Sequence, residues 1–128
     1  MRREKYNNLG KEILDASIHV HKEMGPGLLE SVYHQCLFNE LTYRDIICKS
    51  EVFLPLYYKG KKLDKTFKID LLVEGEIIIE LKAVEALLPV HEAQIISYLK
   101  LANKKLGYLI NFNTPLLKDG FKRFVNNF

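Results

Sequence analysis

The sequence predicts one α/β domain, a mixed sheet flanked by helices, with elements in the order ααβββαβα. Three observations carry this. The apolar period changes from helical to alternating near residue 50. The β-branched run Ile77-Ile78-Ile79 reads as a central strand buried on both faces. A helix opened by Pro89 then separates that strand from another at Leu106 to Phe112, the pattern of a right-handed parallel crossover. The 128 residues suffice for a single domain, 1–128, and no repeat, low-complexity tract or linker divides them.

The first helix, Tyr6 to Met24, sets Leu9, Ile13, Ala16, Val20 and Met24 on one stripe, and Gly25-Pro26-Gly27 ends it. The second, Leu29 to Tyr43, carries Leu29, Tyr33, Leu37 and Leu41 on one face. In the first strand Val52, Leu54, Leu56 and Tyr58 alternate with Phe53, Pro55 and Tyr57, and Pro55 points to an edge or a bulge. Lys59-Gly60-Lys61 is a turn. Lys65 to Val73 and Ile77 to Val84 are two more strands, joined through Glu74-Gly75-Glu76. The third helix runs from Pro89 to about Asn103. A closing helix, Leu116 to Asn126, should bury Leu117, Phe121, Phe124 and Val125.

Composition excludes several function classes. Nineteen basic and 16 acidic residues give a net charge of +3, low for a protein that coats duplex nucleic acid. Lys59, Lys61, Lys62, Lys65 and Lys68 do cluster, and taken alone they read as a solvated hairpin loop. No apolar run approaches the roughly eighteen residues of a membrane span. Met1-Arg2-Arg3-Glu4-Lys5 does not begin a secretory signal, so a cytoplasmic location is expected. Cys36 and Cys48 sit in apolar settings and read as small buried hydrophobes in a reducing compartment. Two cysteines cannot complete a four-cysteine iron–sulfur or zinc site, and no glycine-rich Lys-Ser/Thr loop is present to hydrolyse nucleotides.

The chemistry concentrates on the second and third strands. Asp70, Glu80 and Lys82 interrupt otherwise apolar strands, a costly placement unless the charges are paired or bound to a cation. A three-residue connection, Glu74 to Glu76, sets Asp70 opposite Glu80 and Lys68 opposite Lys82. A two-residue turn would instead put the carboxylates on opposite faces. Facing carboxylates repel. A divalent cation between them relieves the repulsion, and hard oxygen ligands suit Mg²⁺ or Mn²⁺. The competing account is a Lys82–Glu80–Lys68 charge cluster on a solvated sheet face. On the third helix, Gln94, Tyr98 and Leu101 share a face with Val90 beside them. An amide in such a stripe should point at the acidic hairpin and reach Lys82 or Glu80.

Asp70, a spacer of nine, then Glu80-Leu81-Lys82 resembles the PD-(D/E)XK nuclease superfamily, with Ile69 where a proline commonly stands. Gln94-Ile95-Ile96-Ser97-Tyr98 is similar to the Gln-x-x-x-Tyr motif of RecB-like nucleases, whose Gln and Tyr line the active site. Gly27-Leu28-Leu29-Glu30-Ser31-Val32-Tyr33 resembles the signature of the small GxxExxY family of the same superfamily, and the likeness extends from Ile13 to about Val125. The resemblance implies a restriction-endonuclease-like core and a Mg²⁺- or Mn²⁺-dependent nuclease hydrolysing phosphodiester bonds in DNA. By the same resemblance Asp70, Glu80, the Leu81 carbonyl and Glu30 hold the cation. Lys82 positions water or stabilises charge, and Gln94 and Tyr98 support it. Two other readings stay open. One is a non-enzymatic module that keeps the fold and binds nucleic acid or a protein. The other is a homodimeric, junction-type endonuclease. His91 could reach a phosphate or serve only its helix. His19, His21 and His34 read as structural, and Asn111-Phe112-Asn113 as a shaped turn.

Overall fold

The run Ile77-Ile78-Ile79 lies at the centre of the sheet, and all three residues are fully buried. In the computed structural model, which describes residues 1–128, five strands follow the order β1-β2-β3-β4-β5. Strand β3 (Ile77–Lys82) pairs antiparallel with β2 (Lys61–Val73) and parallel with β4 (Leu106–Asn111). The edges are β1 (Cys48–Tyr58), antiparallel to β2, and β5 (Phe121–Val125), antiparallel to β4. The parallel β3–β4 pair is joined through α3 (Pro89–Ala102), as the strand–helix–strand pattern implies.

Helices α1 (Arg3–Met24) and α2 (Glu30–Tyr43) cover one face. Ile13, Ala16 and Val20 of α1 and Tyr33, Leu37 and Leu41 of α2 pack against Leu71, Ile79, Leu81 and Tyr108. Leu29 is not part of that stripe: it caps α2 and is 74% exposed. On the other face Ile95 and Leu99 of α3 meet Phe67, Ile69, Ile78 and Leu109. Alternation along β3 thus sends Ile77, Ile79 and Leu81 to α1 and α2, and Ile78 to α3. Cys36 and Cys48 are free and half-buried, less enclosed than their apolar neighbours imply.

Two elements differ from expectation. The lysine-rich stretch is strand rather than loop. Lys59 and Gly60 alone form the turn, with φ of 49° and 77°, and β2 begins at Lys61. Two successive positive φ values match the twist of a two-residue hairpin. The closing helix is absent: a single 3₁₀ turn, Leu117–Gly120, leads into β5. The spacing of Phe121 and Phe124 explains the difference. Residues three apart share a helix face but lie on opposite faces of a strand. Phe121 packs on Tyr108, with ring centroids 4.9 Å apart, while Phe124 joins the α3-side cluster. All six residues of β4 are buried, so its outer backbone groups need a partner strand, and β5 supplies it. No helix is long and apolar enough to cross a membrane.

Candidate active site

The β2–β3 hairpin turns through Glu74, Gly75 and Glu76, with Glu74 and Gly75 at φ of 53° and 68°. Its register, Val73 with Ile77, Leu72 with Ile78 and Leu71 with Ile79, is the one a three-residue connection dictates. The next facing pair is Asp70 and Glu80, where the backbone ladder stops and the carboxylates take over its hydrogen bonds. Asp70 N–H donates to Glu80 Oε2 at 3.1 Å, and Leu81 N–H donates to Asp70 Oδ2 at 2.9 Å.

The β1–β2 ribbon explains why the ladder breaks there. Phe67 and Ile69 pack on the α3 side, yet Leu71 and Val73 pack on the α1–α2 side. Strict alternation would keep all four on one face, so the ribbon changes sides at Asp70. The β1 residue between the partners of Ile69 and Leu71 is Glu51, at φ 54°. The same twist means that Lys68 does not face Lys82. Lys68 is paired with Phe53 across β1 and lies 3.6 Å from Glu51, so the Lys82–Glu80–Lys68 cluster does not form.

Glu80 is only 4% exposed, and Asp70 is half-buried. Burial, then the Asp70 charge beside it, pushes the Glu80 carboxyl up to about 9, against a smaller opposing pull from Lys82. The pair therefore holds a proton at neutral pH. One oxygen of each carboxylate accepts a backbone N–H, which leaves a second oxygen on each. Phe112 N–H bonds to the Lys82 carbonyl on the β4 side, so alternation turns the Leu81 carbonyl toward β2 and the same gap. A buried pair of repelling hard-oxygen ligands fits Mg²⁺ or Mn²⁺. No third His, Cys, Asp or Glu joins them in a metal-holding group. Glu30 stands apart, exposed in the first turn of α2.

Lys82 is half-buried and makes no salt bridge. Tyr98 lies near the pair. Burial, followed by the charge of Glu80, raises its phenol above the ordinary value. Its ring packs on Phe67 at 4.8 Å. Gln94 is exposed, and its Nε2 donates to Tyr98 Oη at 3.1 Å rather than to Lys82 or Glu80. The buried stripe of α3 runs through Ile95 and Leu99, which puts Gln94 on the rim. Val90 and Leu101, expected to bracket Gln94 in the core, are 66% and 53% exposed.

His91 serves its helix: its Nδ1 accepts the Leu88 N–H at 3.0 Å. His21 meets the Thr114 carbonyl and His34 meets Ser50 Oγ, both structural contacts. Two residues matter more than their sequence setting shows. Phe67 holds the Tyr98 ring from β2. Asn111, 1% exposed, accepts the Val84 N–H at 3.0 Å and donates to the Val84 carbonyl at 2.9 Å. That clamp pins the chain just after Lys82, and a lone amide closing an apolar strand was the available signal. Tyr33 is also structural, stacked on Phe112 at 4.7 Å, with its hydroxyl donating to the Gly25 carbonyl at 2.5 Å.

A similar fold occurs in the solved "Crystal structure of SSO0001", at 21% identity and a TM-score of 0.51. The alignment covers 96% of this chain but 60% of that one. No curated protein matches the chain in sequence. The family model of the PD-(D/E)XK nuclease superfamily matches residues 7–124, a span that contains the facing carboxylates, Lys82 and Tyr98. The chain belongs to the PD-(D/E)XK nuclease superfamily.

Proposed function

We propose that this chain is a Mg²⁺- or Mn²⁺-dependent nuclease that hydrolyses phosphodiester bonds in DNA. Superfamily membership implies a nuclease-like function on nucleic acid, and nucleases of this kind generally use divalent metals. The observation that carries the proposal is the Glu80 carboxylate, 4% exposed and facing Asp70. A retired site has no reason to keep two repelling carboxylates together in a core. Asp70, Glu80 and the Leu81 carbonyl would hold the cation, which when bound polarises a phosphate and lowers the pKa of an attacking water.

The chain's own groups do the rest. Backbone N–H groups of Asp70 and Leu81 fix the orientation of both carboxylates before any ligand arrives. Lys82, unpaired on the strand that bears Glu80, is available to orient a water or offset charge developing on phosphate oxygens. Gln94 donates to Tyr98 Oη, so the phenol proton is left to point away from Gln94, toward the carboxylates or a substrate oxygen. Its raised pKa keeps that proton in place.

Gly27-Leu28-Leu29-Glu30-Ser31-Val32-Tyr33 supports the narrower GxxExxY placement. Gly27 adopts φ 94°, and Tyr33 ties the α1–α2 connection, so both have structural reasons. Glu30 has no packing role, and it remains available to approach the site from the start of α2.

The test is cleavage of single-stranded, duplex, flapped and junction DNA with Mg²⁺ and with Mn²⁺, comparing the parent chain with Lys82→Ala. Metal-dependent cutting by the parent alone supports the proposal. Intact DNA under every condition, with binding retained, would favour the non-enzymatic module. Sedimentation of the free chain distinguishes a homodimeric junction enzyme from a monomer.

A further inference from the structure

The β1–β2 ribbon carries a surface that this chemistry leaves unused. Phe53, Tyr57 and Tyr58 are 63%, 58% and 64% exposed. Phe53 and Tyr57 stand in the exposed row of β1 that alternates with half-buried Val52, Leu54 and Leu56. They stand four positions apart, roughly 13 Å along a strand. Across the ribbon Phe53 faces Lys68 and Tyr57 faces Lys62. Lys59 Nζ lies over the Tyr58 ring, 5.6 Å from its centroid. Each exposed ring thus has a lysine neighbour.

The charge is concentrated in the same place. Residues 52–68 hold five lysines and one aspartate, a net of +4 that exceeds the +3 of the whole chain. Only Lys68 among the five has an acidic partner, Glu51 at 3.6 Å. Open rings and unpaired lysines on one twisted ribbon define a narrow class of ligand. A protein strand added to β1 is disfavoured, because Pro55 offers no N–H and the ladder shifts register between Pro55 and Tyr57. A second copy of the chain would bring five like charges against five. A nucleic-acid duplex presents phosphates but keeps its bases stacked inside, so the rings would stay idle. An unpaired strand offers phosphates to the lysines and base faces to the rings.

We infer that the exposed face of the β1–β2 ribbon binds single-stranded DNA, with Phe53 and Tyr57 stacking on bases and Lys62 and Lys68 meeting phosphates. This rests on the nuclease assignment and narrows its substrate to DNA that is unpaired where it meets the ribbon. Lys68 stands two residues before Asp70 on β2, so the ribbon and the acidic pair share one strand.

Fluorescence anisotropy in EDTA, where no cutting occurs, tests the ribbon directly. The probe is a labelled single-stranded oligodeoxynucleotide, alone and annealed to its complement. The single strand should bind more tightly than the duplex. Phe53→Ala and Tyr57→Ala should each weaken it roughly tenfold or more. Lys62→Ala should lower the salt-dependence slope by about one. Tyr43→Ala, which removes a ring 80% exposed on α2, should change nothing. All four side chains are on the surface, and unchanged thermal melts would verify folding. Equal affinity for both DNA forms with no effect of either ring, or no binding at all, overturns the inference. A chain that holds single strands through the rings but never cuts them in Mg²⁺ or Mn²⁺ supports the ribbon and refutes the nuclease assignment. Metal-dependent cutting with KM unchanged in both ring variants does the reverse.

Discussion

Without a divalent cation, the chain should become less stable as pH rises through neutrality, and Glu80 should be the cause. An ordinary Glu titrates near 4.5, whereas the folded Glu80 carboxyl titrates near about 9. Between those values the folded chain binds one more proton than the unfolded chain. Stability held by protonated Glu80 is fully present below the unfolded value and is lost as pH rises toward the folded value. The slope for one proton is at most about 1.4 kcal/mol per pH unit, so the loss between about pH 5.5 and about pH 7.5 approaches 3 kcal/mol. For a chain of this size that is roughly 10 °C in Tm. Circular-dichroism melts in EDTA, run in parallel on the parent and Glu80→Gln, isolate the contribution of the Glu80 carboxyl, because the two chains differ in no other titrating group. The Gln variant keeps an acceptor for the Asp70 N–H and has no charge to bury. Its Tm advantage over the parent should therefore grow with pH, and saturating Mn²⁺ should cancel or reverse it by stabilising the parent. A gap that stays constant across the range would refute the buried-carboxylate account.

Other consequences can be measured on the same material. Asp70→Asn should stabilise the metal-free chain by about 1 kcal/mol at neutral pH, since an amide oxygen still accepts the Leu81 N–H while the charge that helps force a proton onto Glu80 is gone. Asp70→Ala should not share that gain, because it strands the buried Leu81 N–H at a cost of about 1–3 kcal/mol; urea titration separates the two. Both should abolish Mn²⁺ binding in calorimetry, and binding equal to the parent would remove Asp70 from the cation site. Lys82→Ala should leave DNA affinity unchanged and lower kcat on the order of a hundredfold. An unaltered kcat would give Lys82 a structural role only. Gly10→Ala should destabilise the fold, because a new Cβ would collide with the Tyr108 hydroxyl inside the core. That overpacking, about 1–3 kcal/mol, outweighs the roughly 1 kcal/mol of helix propensity gained.

The acidic hairpin was legible because its determinants are local. Glu74-Gly75-Glu76 fixes the loop length, and the isoleucine run forbids a slip that would turn the strand over. The parallel crossover was legible for a similar reason, with Pro89 marking where the helix begins. Other features escaped. Phe121 and Phe124 satisfy a helical stripe and a two-sided strand equally well, and only the open edge of β4 decides between them. Val90 and Leu101 are apolar but exposed, so hydrophobicity alone misplaced the buried face of α3 and drew Gln94 inward with it. Lys59-Gly60 makes a tighter turn than the lysine content implied, which converts a supposed loop into four more residues of strand.

The crossover of the β1–β2 ribbon at Asp70 was invisible in the sequence, yet it organises the site. A regular strand would have continued pairing with β3 and consumed the Leu81 N–H in a backbone bond. Because β2 pairs with β3 only from Leu71 onward, the Leu81 N–H and the one on Asp70 have no ladder partner there, and each is taken by a carboxylate. Orientation of the acidic pair and interruption of the ladder are thus one event. The same rotation turns Phe67 under the Tyr98 ring, so the phenol is braced from the strand that carries Asp70. A single backbone distortion therefore supplies two needs of the proposed nuclease: anchored acidic ligands and a braced hydroxyl beside them. The outlay appears as the pH-dependent instability of the metal-free chain, which is why the Glu80 titration probes the architecture of the site as well as its charge.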